Sequence, residues 1–142
     1  MVTCNIYLAG PYTSDTMEYL NSLATKFQNT IISSVRINVV STWHYQEVVP
    51  QPDKQTLYKA ALAGIEELAK ADIIAVYQPE KSTSGAIFVE MGIAHARGIP
   101  TVYSIGKKWS ADEILQSIID RFWLANSRLI SPNIALLLLE DD

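Results

Sequence analysis

Short apolar runs alternate with stretches of helical periodicity along this chain, and breakers separate them. Few architectures tolerate that rhythm. Residues 6–9 form an apolar run stopped by Gly10-Pro11, which reads as a buried first strand. Ser14 or Asp15 can cap a helix over about 16–30, with Leu20, Leu23, Ala24 and Phe27 on one face. Residues 36–42 (RINVVST) are β-rich and read as a second strand. Pro50 and Pro52 make 45–54 a loop, long enough to lie over something. Residues 56–70 read as a helix, with Leu57, Ala60, Ala61, Ile65 and Leu68 at helical spacing. A third strand is expected at 72–77, a helix at 84–97 stopped by Gly98, and a fourth strand at 101–105. Ser110 caps an amphipathic helix carrying Ile114, Leu115, Ile118, Ile119 and Phe122. Near the end, 128–130 reads as a short fifth strand. Ser131-Pro132 then favours a last helix, although ALLLL also fits a strand.

Strand–helix alternation implies parallel strands joined by right-handed crossovers. The first and third strands are apolar nearly throughout, as a sheet covered on both faces requires. The expected fold is α/β: a doubly wound, flavodoxin- or Rossmann-like sheet of four or five parallel strands with helices on both faces. At 142 residues, one domain spanning 1–142 is the natural reading. In such folds ligands sit beyond the carboxyl ends of the strands. Residues 7–13, 43–45, 78–90 and 104–108 fall at or near that edge, whereas Asp72 starts its strand and falls at the opposite one.

Composition narrows the partners. A net charge of −4 lacks the basic footprint that a nucleic acid polymer demands, yet leaves room for a small phosphorylated ligand. No apolar stretch approaches the ~18 residues of a membrane span, and the N-terminus lacks the pattern of a secretory signal. A cytoplasmic protein without a membrane partner is expected. The single cysteine, Cys4, allows no internal disulfide and reads as a small core residue rather than a nucleophile.

The candidate chemistry lies in the loops after the first and third strands. LAGPYTSD is neither a Walker loop nor GxGxxG. Its Gly10, Pro11 and Tyr12 fit a backbone-lined sugar or anion site, or an ordinary turn. Ser84 and Gly85 open a helix whose free N–H groups suit a phosphate, although a plain serine cap explains them equally. Glu90 lies about two turns inside that helix among Ile87, Phe88, Val89 and Met91. A carboxylate buried there needs a partner or a task. Spacing alone leaves open an exposed stripe or a pair with Arg97. His44 follows the second strand on the ligand edge. It and His95 are the only histidines, and no Asp or Cys cluster accompanies them, so neither a metal nor another cofactor is expected.

The elements IYLAGPYTS, KADIIAVYQP and SGAIFVEMGIAHARGIPTV, in that order, resemble the nucleoside 2-deoxyribosyltransferase-like superfamily, over about residues 5–106. That superfamily includes 2′-deoxynucleoside 5′-phosphate N-hydrolases. The resemblance implies cleavage or transfer at the anomeric carbon of a nucleoside or nucleoside 5′-monophosphate. By residue, it makes Glu90 the nucleophile and Tyr7 the phenol that orients it. Ser84 would hold a 5′-phosphate with help from Thr83 or Gly85, and first-loop residues Gly10 to Thr13 would lie alongside the sugar and phosphate. His44 would be a base or phosphate contact. The chemistry would be that of a retaining glycosidase. Relatives form dimers or larger oligomers, and the helix from 111 with Trp109 and Trp123 would supply a homodimer contact.

The chain departs from the pattern twice. Gly64 stands where many active members carry an aspartate that acts near the base. Glu66 and Glu67 are expected to project from other sides of the helix. The step from Gly85 to Glu90 is also one residue longer than usual. The rival expectations are a catalytically impaired nucleotide-binding module and a purely structural domain. A lysine-decarboxylase-like phosphoribohydrolase would need a PGGxGTxxE element, which is absent.

Overall fold

The computed structural model describes residues 1–46, 51, 53–79, 85–126 and 137–140. Among the described residues, six strands and four helices follow one another as β1 (Val2–Ala9), α1 (Ser14–Phe27), β2 (Ile31–Ile32), β3 (Val35–Val39), α2 (Lys54–Leu68), β4 (Ile73–Gln78), α3 (Gly85–Ala96), β5 (Thr101–Ile105), α4 (Ala111–Asn126) and β6 (Leu137–Glu140). A single 3-10 turn, Trp43–Tyr45, follows β3. The fold is α/β, with sheet order β2-β3-β1-β4-β5-β6. All strand pairs are parallel except β2 with β3.

The apolar strands are apolar because both sides are covered. Cys4, Ile6 and Leu8 of β1 join one core with Leu20, Leu23, Ala24 and Phe27 of α1 and Ile118 of α4. Tyr7 and Ala9 point the other way, into a core with Leu68 of α2 and Ile87 and Ala94 of α3. This period-two sorting is what a pleated strand dictates. Each buried Leu, Ile or Phe in these layers contributes roughly 1.5–3 kcal/mol of transfer free energy.

Several boundaries differ from expectation. Thr13, rather than Ser14 or Asp15, caps α1, its Oγ1 accepting from Thr16 N at 3.2 Å. The short β2 escaped sequence reading because two residues carry no period. It is the one antiparallel strand, and it brings the sheet to six strands rather than the expected four or five. The tail corrects a second expectation. Residues 137–140 are a strand against β5, not part of a final helix. A short apolar run such as Leu137–Leu139 fits a strand as well as a helix turn, and pairing with a sheet edge decides it. The expected strand at 128–130 lies outside the described residues. Gly98 does stop α3. Its φ of 71° is left-handed, and Ile99 N donates back to Ala94 O at 2.8 Å. Ser110 does cap α4, exchanging hydrogen bonds with Glu113 in a capping box.

Two features position a site. First, the chain leaves β1 for β3 and then returns past β1 to reach β4. The connections beyond β1 and β4 therefore diverge, which opens a crevice at their carboxyl ends. Second, β3 parts from β1 before β1 ends. Val40 N still donates to Ile6 O at 2.9 Å, but the next rung is made by side chains. Leu8 N donates to Ser41 Oγ at 3.0 Å, and Trp43 Nε1 donates to Leu8 O at 2.7 Å. No helix among the described residues is long and apolar enough to cross a membrane.

Candidate active site

Tyr7 is 2 % exposed and stands on β1 facing α2 and α3. Glu90 lies on α3, one turn beyond the buried Ile87. The two side chains meet: the Tyr7 hydroxyl donates to the Glu90 carboxylate. Glu90 is half-buried, and its Oε2 is buried with no hydrogen-bond partner among the described residues. Burial pushes the Glu90 carboxyl up to about 7, against the downward pull of the Tyr7 hydrogen bond. Burial also raises the Tyr7 phenol, and the charges of Glu90 and Glu67 add to it. The hydroxyl therefore keeps its proton and stays a donor. A buried carboxylate oxygen left without a partner costs free energy unless a ligand or a developing positive charge meets it. The partner of Glu90 is thus Tyr7 rather than the Arg97 that spacing had left open.

Gly64 brings α2 onto this pair. A Cβ at position 64 would lie 3.2 Å from Tyr7 Oη. Gly64 has no positive φ, so its backbone does not require glycine. The close approach to Tyr7 is what favours it. Three residues on, Glu67 shares that helix face and accepts from both Thr42 N, at 2.9 Å, and Thr42 Oγ1. Its charge is felt at Tyr7. Glu67 therefore borders the site, contrary to the expectation that it projects elsewhere. The i, i+3 relation to Gly64 was a signal capable of finding it.

The first loop is built for a tight fit. A Cβ on Gly10 would lie 2.7 Å from Thr16 Cγ2 and 3.0 Å from Tyr77 O, so only glycine fits between α1 and β4. Gly10 and Pro11 are buried, while Tyr12 is exposed at the carboxyl edge of the sheet. Gly85 opens α3. Ser84 lies outside the described residues.

His44 does not join this group. It is fully buried and bonds to α1, behind the sheet face that Tyr7 presents. Leu8 N–H donates to Ser41 Oγ, whose hydroxyl donates to His44 Nε2 (2.7 Å), and Nδ1–H donates to Asn21 Oδ1 (2.8 Å). Both ring nitrogens are spent on the protein. Burial holds this imidazole neutral, down to about 4. His44 thus ties the 41–45 segment to α1 rather than presenting a free nitrogen at the crevice. His95 lies exposed on α3. Among the described residues no three His, Cys, Asp or Glu side chains group as metal ligands. Cys4 is fully buried, and its thiol is pushed up to about 12 by burial, which makes it unreactive.

Lys108 pairs with Asp15 at 2.7 Å, and Lys107 lies 4.1 Å from the centroid of the Trp109 ring. Tyr19 Oη donates to Trp109 O at 2.7 Å. These contacts fasten the start of α1 to the turn after β5, close to the first loop.

α2 and α3 leave much apolar surface uncovered. Of the fifteen α2 residues only Leu68 is buried. Leu57 (55 %), Tyr58 (62 %), Leu62 (40 %), Phe88 (56 %) and Val89 (62 %) are exposed. The helical spacing in α2 predicted an apolar face correctly, but this chain does not bury it. Trp109, by contrast, packs on the core beside α1 and α4, and Trp123 is half-exposed.

No protein-family model matches the chain, and no curated protein matches it. Among solved structures, a conserved protein from Enterococcus faecalis V583 is similar, at 20 % identity and a TM-score of 0.52. The similarity covers 96 % of this chain and 82 % of that one, and it bears on the fold.

Proposed function

We propose that this chain cleaves the N-glycosidic bond of a nucleoside or nucleoside 5′-monophosphate, with Glu90 as nucleophile and Tyr7 as its orienting phenol. The observation that carries the reading is the Tyr7–Glu90 pair with its buried Glu90 oxygen that has no hydrogen-bond partner among the described residues. The strand order, with helices on both faces, supports a doubly wound, flavodoxin-like assignment.

In this mechanism one Glu90 oxygen attacks C1′ as the bond to the base breaks. The positive charge that develops on the sugar offsets the cost of a desolvated carboxylate. Tyr7 holds the other oxygen and keeps the carboxylate aligned. Water then attacks the glycosyl ester, which releases the sugar and restores Glu90. A second base in place of water would give transfer. With Gly64 in place of an aspartate, the leaving base takes its proton from solvent, and the attacking water returns one to solvent. That favours 2-deoxy sugars, whose cation lacks an electron-withdrawing 2′-hydroxyl. Hydrolysis of a monophosphate is favoured over transfer by the Ser84-Gly85 pair in the sequence and the hydroxyls of the first loop. A nucleotide substrate fits a cytoplasmic location, and no cofactor takes part.

Gly64 also favours a second reading, a nucleotide-binding module of the same fold with catalysis lost. Chromatographic detection of free base over a panel of ribo- and deoxyribonucleosides and their 5′-monophosphates separates the two. Release by the native chain and its loss in Glu90→Ala are expected. No release, together with a raised melting temperature on adding a nucleotide, would replace the enzyme by the binding module.

The resemblance also implies a homo-oligomer. The exposed α2–α3 face is the better candidate for that contact, since Trp109 is committed to the core.

A further inference from the structure

The helix that delivers Gly64 to the site is held to the body by very little. Leu68 is its single buried side chain, and Leu68 sits in its last turn. Beside it, Glu67 grips Thr42 through two hydrogen bonds, to the backbone N–H and to the hydroxyl. Thr42 immediately precedes Trp43, whose indole N–H donates to Leu8 O, next in sequence to Tyr7. One turn before Glu67, Gly64 approaches the Tyr7 hydroxyl. A continuous line of contacts therefore runs from α2 through Thr42 and Trp43 to β1, and it closes again at Gly64 and Tyr7.

We propose that Glu67 is a positioning residue: its clasp on Thr42 fixes the last turns of α2 over the Tyr7 hydroxyl and so keeps water from the Tyr7–Glu90 pair. Without the clasp, a helix with one buried side chain has little to hold its spacing from β1. Isolated helices of about this length are marginal in water. A displacement of an ångström or two at Gly64 admits water beside Tyr7, and Glu90 loses its desolvated setting. The clasp rests on the proposed function only in treating Tyr7 and Glu90 as a reacting pair. The structural effect holds whether or not base is released. Tyr7 of β1 is the titratable group bonded to Glu90, and Glu67 of α2 acts in turn on Tyr7.

The test is a carbon-13 NMR titration of the Glu90 carboxyl in the native chain, Glu67→Gln, Thr42→Val and Thr42→Ser. Glu67→Gln removes the charge and weakens the clasp. Thr42→Val leaves the charge and removes the hydroxyl donor. Thr42→Ser keeps that donor. The clasp predicts that the first two variants lower the Glu90 midpoint by roughly one unit or more, toward an ordinary carboxylate, and that Thr42→Ser restores it. A residue that merely caps structure would lower the melting temperature and leave the midpoint where it was, and that result overturns the proposal. A shift in Glu67→Gln with none in Thr42→Val also overturns it, because charge alone would then explain the effect. Absence of base release from the native chain would instead refute the enzymatic reading and leave the titration result standing.

Discussion

The Cβ that Gly64 lacks would stand 3.2 Å from the hydroxyl of Tyr7. That contact is tighter than ordinary packing, and the hydroxyl it crowds is the one that donates to Glu90. Gly64→Ala therefore separates stability from function. Alanine gains about 1 kcal/mol of helix propensity over glycine, which offsets the crowding. The expected outcome is a melting temperature within a few degrees of the native one, with base release reduced at least ~10-fold by a displaced Tyr7. A strong loss of stability with a normal rate per folded molecule would show that Gly64 serves packing alone.

Glu90 titrates near 7 rather than at 4.5, because burial disfavours its charged form. Its folded-state value lies above the unfolded one. The folded state therefore binds the extra proton between about 4.5 and 7, and stability falls as pH rises through that window. Glu90→Gln removes this penalty and should be the more stable protein above pH 7, by roughly 1–3 kcal/mol in urea unfolding. Below pH 4.5 the difference should vanish. Activity runs the opposite way. A nucleophile must be ionised, so base release by the native chain should rise through an apparent pKa near 7.

Tyr7→Phe deletes the hydrogen bond that favours ionised Glu90. The carboxyl should then titrate above its native midpoint, and the acid limb of the rate profile should move to higher pH with it. At pH 7 a loss of about 10–100-fold in kcat is expected, from lost orientation and lost charge together. An unchanged profile would remove Tyr7 from the mechanism.

His44 predicts an acid weakness of a different origin. Its folded-state value is lowered to about 4 from 6.5 by burial. The unfolded chain therefore binds a proton that the folded chain refuses. Stability attributable to His44 is intact above about 6.5 and is lost as pH falls toward 4, by up to ~1.4 kcal/mol per pH unit. Glu90 contributes with the opposite sign over part of this range, so the cleanest measurement is unfolding of Glu90→Gln at several pH values. A flat stability between pH 6.5 and 4 would contradict a neutral, doubly bonded imidazole.

The uncovered face of α2 and α3 predicts self-association. Leu62 and Val89 are exposed apolar side chains on these helices. Sedimentation should give a dimer or larger species for the native chain, and Leu62→Glu or Val89→Glu should give a monomer of unchanged fold. A monomeric native chain at high micromolar concentration would leave this face to another partner.

How much of this was legible beforehand can be read from single residues. Apolar runs at 6–9 and 73–77 announced doubly covered strands, because a buried strand has no polar face to show. Breakers such as Gly98 announced helix ends, because a left-handed φ is local chemistry. Glu90 was conspicuous for the same kind of reason, as one carboxylate among apolar neighbours on a helix. The two-residue β2 and the strand at 137–140 were not legible, since their state depends on a sheet edge supplied by distant residues. His44 was legible as a histidine at the right edge. Only the structure showed it facing α1, with both nitrogens occupied.

The sequence by itself determined a small acidic α/β chain and singled out one carboxylate, Glu90, among apolar neighbours on a helix. Those properties follow from composition and short-range periodicity, which physical chemistry reads one segment at a time. The tertiary structure decided who meets whom. Tyr7 and Glu90 are 83 positions apart and become partners because β1 and β4 are neighbours in the sheet. Gly64 and Glu67 gain meaning because a crossover lays α2 over the same strand end. Glu67 shows the limit most plainly. It is one of fifteen acidic residues in the chain, and beyond its i, i+3 relation to Gly64 only its bonds to Thr42 and its charge at Tyr7 set it apart.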